Sequence, residues 1–94
     1  MIVTTVGRKV WYRPCENDRS GVEGMAGGVN APLDATVVCV HSDRLVNLVV
    51  FDANGNMFKR TSVTLLQDDD PSPASGRYAE WMPYQTAQAK KESV

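Results

Sequence analysis

Two β-rich runs, Leu45-Val46-Asn47-Leu48-Val49-Val50-Phe51 and Met57-Phe58-Lys59-Arg60-Thr61-Ser62-Val63, flank the segment Asp52-Ala53-Asn54-Gly55-Asn56. Asn-Gly accepts the positive φ values of tight hairpin turns, and between two such runs it is the strongest short-range hairpin signal a sequence offers. The centre of the chain is therefore a β-meander. Two joints fit. A two-residue type I′ turn at Asn54-Gly55 sets Phe51 opposite Phe58, whereas a three-residue loop with Gly55 in the left-handed region sets Phe51 opposite Met57. The cross-strand aromatic pair favours the first.

Upstream, Lys9, Trp11 and Arg13 alternate with Val10 and Tyr12, the period of a half-buried strand, and Pro14 ends it. Ala35-Thr36-Val37-Val38-Cys39-Val40 is dense in β-branched residues suited to a pleated surface, and His41-Ser42-Asp43 supplies turn chemistry. Val63-Thr64-Leu65-Leu66 is either a short turn or a fifth strand. The third strand carries apolar residues on both faces, so a flat sheet would leave one set wet. A bent sheet closing on itself buries more of both and removes exposed edges. The expected fold is mainly β, a small barrel of about five strands.

Residues 15–32 hold Gly21, Gly24, Gly27 and Gly28 among few large apolar groups, so ordering them gains little burial against the entropy lost; they read as a long mobile loop. After Leu66 the composition turns abruptly to Gln67-Asp68-Asp69-Asp70-Pro71-Ser72-Pro73-Ala74-Ser75-Gly76. The organisation that follows is a barrel over 1–66, an acidic Pro/Ser linker over 67–76, and an aromatic segment with a frayed, irregular or short-helical tail over 77–94. Within that last segment, Tyr78, Trp81, Met82 and Tyr84 either fold back to cap the barrel or form a docking motif. Folding back is expected, because leaving so much apolar surface in water is costly for a monomer.

Chemistry-bearing groups are sparse. His41 is the only histidine and has no visible partner for general-base or metal work. Cys39 lies in an apolar run, and Cys15 lacks a neighbouring base in sequence; the two cysteines make no Cys-x-x-Cys pair. Asp68-Asp69-Asp70 lacks the spacing of a metal loop, and the glycines make no phosphate cradle. No catalytic residue, metal or cofactor is expected, and the chain reads as something other than an enzyme. Ten basic against eleven acidic residues give a net charge of -1, without the long-range field of a polyanion binder. No apolar run approaches the ~18 residues of a membrane span, so no membrane partner is expected.

The stretches Val6-Gly7-Arg8-Lys9-Val10-Trp11-Tyr12-Arg13-Pro14, Pro32-Leu33-Asp34-Ala35-Thr36-Val37-Val38, Val46-Asn47-Leu48, Phe51-Asp52-Ala53-Asn54-Gly55, Arg60-Thr61-Ser62-Val63 and Glu80-Trp81-Met82-Pro83-Tyr84-Gln85 resemble small proteins encoded by tailed bacteriophages and prophages. The resemblance reaches nearly to Gln85 and brings no activity with it; it implies the bacterial host cytoplasm, or association with the virion, as the setting. The order of strand, long loop, meander and short last segment looks like an SH3-like barrel, a fold used mostly for binding. The expected function is binding of an unidentified phage or host protein through Trp11, Tyr12, Arg13, Tyr78, Trp81 and Tyr84. The alternative is a nucleic-acid module in which Arg8, Lys9, Arg13 and Arg60 track phosphates beside stacked aromatics.

Overall fold

Strand β1, Lys9–Arg13, follows the alternation of its side chains: Val10 and Tyr12 are fully buried while Lys9, Trp11 and Arg13 face outward. A computed structural model describes residues 2–16, 18, 24–27, 31–67, 70, 71 and 77–92, with side chains up to residue 87. β2 spans Leu33–Ser42 and β3 spans Leu45–Phe51. β4 spans Met57–Leu66, β5 spans Tyr78–Glu80, and a single helix, α1, covers Pro83–Glu92. The strands close in the order β1-β2-β3-β4-β5. The fold is thus the expected mainly β, closed five-stranded barrel, with its fifth strand at Tyr78–Glu80.

Closure depends on distant pairings. β1 runs antiparallel to β2 and, through Trp11↔Glu80, Tyr12↔Ala79 and Arg13↔Tyr78, antiparallel to β5. β5 lies parallel to β4 at Leu65↔Ala79 and Leu66↔Glu80. The core gathers Val10, Tyr12, Leu33, Ala35, Val37, Val46, Leu48, Val50, Val63, Leu65, Ala79 and Trp81, with Ile2 and Met25 at its rim. Trp81 is 4% exposed, so residues 78–81 fold back into the barrel. Pro83 starts α1 where its missing N–H costs nothing. Gln85 ties that start to β1, accepting from the Met82 N–H at 2.8 Å and donating to the Lys9 carbonyl at 2.9 Å.

Several expectations are corrected. The hairpin takes the three-residue joint: Phe51 faces Met57, Val50 faces Phe58, and Gly55 has φ 85°. Asp52 is the reason. Its Oδ1 accepts from the Asn54 and Asn56 N–H groups, both at 2.9 Å, and this Asx-type brace outweighs an aromatic pair. β2 extends beyond 35–40 at both ends, and 63–66 is neither a turn nor a separate strand but the end of β4. What separates 63–66 from the start of β4 is a bulge: Leu48 pairs with Arg60 and Val46 with Val63, so Asn47 opposes both Thr61 and Ser62. Ser62 adopts φ 52°, and its N–H is satisfied by Asn47 Oδ1 at 2.9 Å.

The loop over 15–32 is held where it is described: Met25 and Asp18 are buried, Met25 N–H donates to the Asp18 carbonyl at 2.9 Å, and Ala26 N–H donates to Asp52 Oδ2 at 3.0 Å. Met25 joins the core, and the other anchors are polar, which a count of apolar residues does not register. Gln67, placed in the linker, is buried instead. Its Oε1 accepts from Ile2 N–H at 2.9 Å and the Trp81 indole at 3.3 Å, while Nε2 donates to the Ile2 and Asp43 carbonyls at 3.2 and 2.8 Å. All four bonding positions of the amide are used. Asp70 accepts from Arg44 Nε and the Gln67 N–H, both at 2.9 Å. The rest of the acidic run, Asp68 and Asp69, and residues 72–76 lie outside the described residues.

Candidate functional site

The barrel's register lines up one row of outward side chains across every strand. Glu80 pairs with Trp11, Trp11 with Asp34, Asp34 with Phe51, and Phe51 with Met57. Their chain neighbours Tyr12, Leu33, Ala35, Val50 and Ala79 point inward and are buried. Trp11 and Phe51 are half-buried and Met57 is 70% exposed. Tyr78, half-buried, stands opposite Arg13 in the adjoining position.

Charged side chains stand within and beside the row. Lys9 Nζ bonds Asp34 Oδ2 at 2.8 Å and Thr36 Oγ1 at 3.1 Å and sits 5.3 Å from the Phe51 ring centroid. Arg13 Nε donates to Glu80 Oε2 at 2.7 Å, and its guanidinium carbon lies 5.5 Å from the Trp11 ring centroid. Both ion pairs are partly exposed and contribute about 0–1 kcal/mol each. Their larger effect is geometric, since a cation over each ring fixes its orientation on an already rigid strand. Along the row, Asp34 lies between the Trp11 and Phe51 rings, and Met57 ends it.

Of the residues expected to bind, Trp11, Arg13 and Tyr78 belong to this face, and Tyr84 is exposed on α1. Tyr12 and Trp81 do not: both are interior, Tyr12 because it shares the inward parity of Val10, and Trp81 because it lies two residues beyond Ala79 on the same inward side. Phe51 and Met57 join the face instead, and their place depended on the hairpin register. Among the cations assigned to phosphates, Arg8 is exposed and donates to Thr5 Oγ1 at 3.3 Å, whereas Lys9 and Arg13 are paired as above. Arg60 is corrected to an interior residue, 8% exposed.

Arg60 belongs to a buried polar cluster that no sequence motif announces. Asp18 Oδ1 accepts from Arg60 Nη2 at 2.9 Å and Nε at 3.2 Å, and Arg77 approaches the same oxygen at 3.6 Å. Asp18 Oδ2 accepts from the Tyr12 hydroxyl at 2.6 Å and the Cys15 N–H at 3.1 Å, with Cys15 Sγ at 3.5 Å. Burial alone raises the Asp18 carboxyl, but the bonds from Tyr12, Cys15 and Arg60 outweigh it and hold the group below the usual carboxylate range. Burial, then the hydrogen bond and charge of Asp18, push the Tyr12 phenol well above its ordinary value. With both Asp18 oxygens engaged by Tyr12, Cys15 and Arg60, the cluster pins the loop to the barrel. Cys15, for which no neighbouring base was visible in sequence, does lie beside a carboxylate, but one committed to four other donors.

The remaining candidates are placed simply. His41 is exposed at the end of β2 with Nε2 3.1 Å from Asn47 Oδ1, and Cys39 is half-buried. Among the described residues no three His, Cys, Asp or Glu side chains group as metal ligands, and no helix is long and apolar enough to cross a membrane. Comparison with protein-family models, with curated proteins and with solved structures finds no match.

Proposed function

We propose that this chain is a non-enzymatic binding module of a tailed phage or prophage, acting in the host cytoplasm or on the virion, that engages another protein through the row of Trp11, Phe51 and Met57 with Tyr78 beside it. The observation carrying this reading is the exposure of Met57 at 70% opposite Phe51, in a row that also holds Trp11 two strands farther on, each ring with a cation near it. Aromatic and methionine side chains are enriched where partners bind, and rings already fixed in the free protein lose little entropy on docking. Of the four cations in the nucleic-acid alternative, Lys9, Arg13 and Arg60 are matched by Asp34, Glu80 and Asp18, so these three offer little uncompensated charge to a phosphate backbone.

Affinity capture from infected or induced cells, with the full chain and a Trp11→Ala/Met57→Glu double variant as paired baits, tests it. A protein retained by the wild type and lost by the variant is the expected result. Equal retention by both baits overturns the assignment of this face. Salt-sensitive binding of single-stranded nucleic acid, absent at high ionic strength, replaces it with the nucleic-acid reading.

A further inference from the structure

The two halves of the β3–β4 hairpin stand in different registers. Near the base, Val46 pairs with Val63 and Leu45 with Thr64. Continued without interruption toward the turn, that register sets Asn47 against Ser62, Leu48 against Thr61, Val50 against Lys59 and Phe51 against Phe58, and it closes on Asn54-Gly55 as a two-residue turn. Asn-Gly favours such a type I′ turn, and the register includes a cross-strand aromatic pair. The observed half next to the turn is displaced from it by one residue: Leu48 pairs with Arg60, Val50 with Phe58 and Phe51 with Met57. The third residue of the loop and the extra residue of the bulge at Thr61 and Ser62 are therefore the two ends of a single displacement.

Each register satisfies what the other lacks. The observed one keeps the Asp52 brace on Asn54 and Asn56, the bond from Ala26 N–H to Asp52 Oδ2, and Arg60 turned inward to Asp18 at 2.9 Å. Its strain falls on Ser62, held at φ 52° with its N–H on the Asn47 side chain. The continuous register removes the bulge and that strain. A one-residue displacement also reverses the face each side chain meets, so Phe58 and Arg60 turn outward while Lys59 and Thr61 turn toward Val50 and Leu48. We propose that the hairpin is a two-register device: the half from 48 to 61 exchanges between these pairings, Asp18 latches the observed one through Arg60, and 63–66 keep their partners in both. In the second register Phe58 takes the place of Met57 opposite Phe51. On the proposed function, on which this consequence alone rests, the contact face then exists in two compositions, one ending in a thioether and one in a ring.

The test is amide relaxation-dispersion NMR on the full chain and on Lys59→Val, which reads register without any partner. Lys59 is exposed in the observed register and faces Val50 in the other, so valine there favours only the second and disturbs no buried group. Exchange is expected at 48–62 with flat profiles at 63–66, and Lys59→Val raises the minor population about tenfold, the effect of burying one valine side chain. In that variant the Ser62 Cα shift moves toward extended values and a contact between the Phe51 and Phe58 rings appears. Asp18→Asn, with its fold checked by a melting curve, shifts the population the same way. Flat profiles across 48–62 in Lys59→Val overturn the proposal. Exchange of equal size at 63–66 overturns it too, since that is opening of the hairpin rather than displacement. Exchange as expected, together with equal retention of partners by the two baits described above, overturns the contact face and leaves the device standing.

Discussion

The β3–β4 hairpin and the β1–β5 seam close the same barrel by opposite means. In the hairpin, partners lie a few residues apart, Asp52 braces the loop through Asn54 and Asn56, and the strands pair as soon as the turn forms. In the seam, partners are 67 residues apart at Arg13 and Glu80, 65 at Ile2 and Gln67, and 42 at Asp18 and Arg60. The strand that makes the seam has three residues, too few to hold by ladder bonds alone. Its position is set by buried polar hubs, Asp18 and Gln67, around which Tyr12, Arg60, Trp81 and Ile2 are fastened. A meander this short can be local, but its core is sealed only by groups that no local rule assembles, and each such group has every buried polar atom matched.

The largest effects belong to the seam. Trp81→Ala removes a packed indole and the bond to Gln67, and is expected to cost about 3–5 kcal/mol. Asp18→Ala leaves the Arg60 guanidinium buried without its carboxylate and is expected to cost a similar 3–5 kcal/mol. For a domain with about 5–15 kcal/mol of stability, either variant lowers the melting temperature by ten degrees or more, read by circular dichroism. A shift of only a degree or two at both sites would place closure in the hairpin.

Gly55→Ala tests the local side. Open space surrounds the position, so only the left-handed backbone opposes a Cβ, and a loss of about 1–2 kcal/mol is expected in denaturant titration. A loss equal to that at Trp81 would erase the distinction between the two regions.

The smallest effects are those of pH, and they separate the carboxylates of the two regions from the phenol. Asp18 and Asp52 are both held below their ordinary value of 3.8, so the stability they contribute is present above that pH and is lost as the pH falls through their depressed values. Tyr12 is raised above its ordinary 10.0, so its contribution is complete below pH 10 and is lost as the pH climbs toward the raised value. Melting temperatures of the wild type and Tyr12→Phe at pH 8 and pH 11 are expected to converge at the higher pH. Parallel curves would show that the phenol does not titrate with unfolding.

How much of this was legible follows from distance along the chain. The alternation of Val10 and Tyr12 against Lys9, Trp11 and Arg13 identifies β1 and its inward face, and by that parity Tyr12 belongs to the core despite its aromatic character. The bulge at Ser62 was not legible: its cause is Asn47, whose side chain takes the Ser62 N–H in place of a ladder partner. Nor was the outer row, because Phe51 meets Met57 only once Asp52 has selected the three-residue loop.

Local periodicity and turn chemistry determined the four strands of the meander and most of their inward apolar residues, because those depend on side chains two or four positions apart, whereas β5 at Tyr78–Glu80 exists as a strand only through its distant pairing with β1 and β4. Which polar residues go inside was decided by the tertiary structure. Asp18, Gln67 and Arg60 read as surface groups in any window of sequence, and they become interior only when partners tens of residues away supply the bonds that water would otherwise provide.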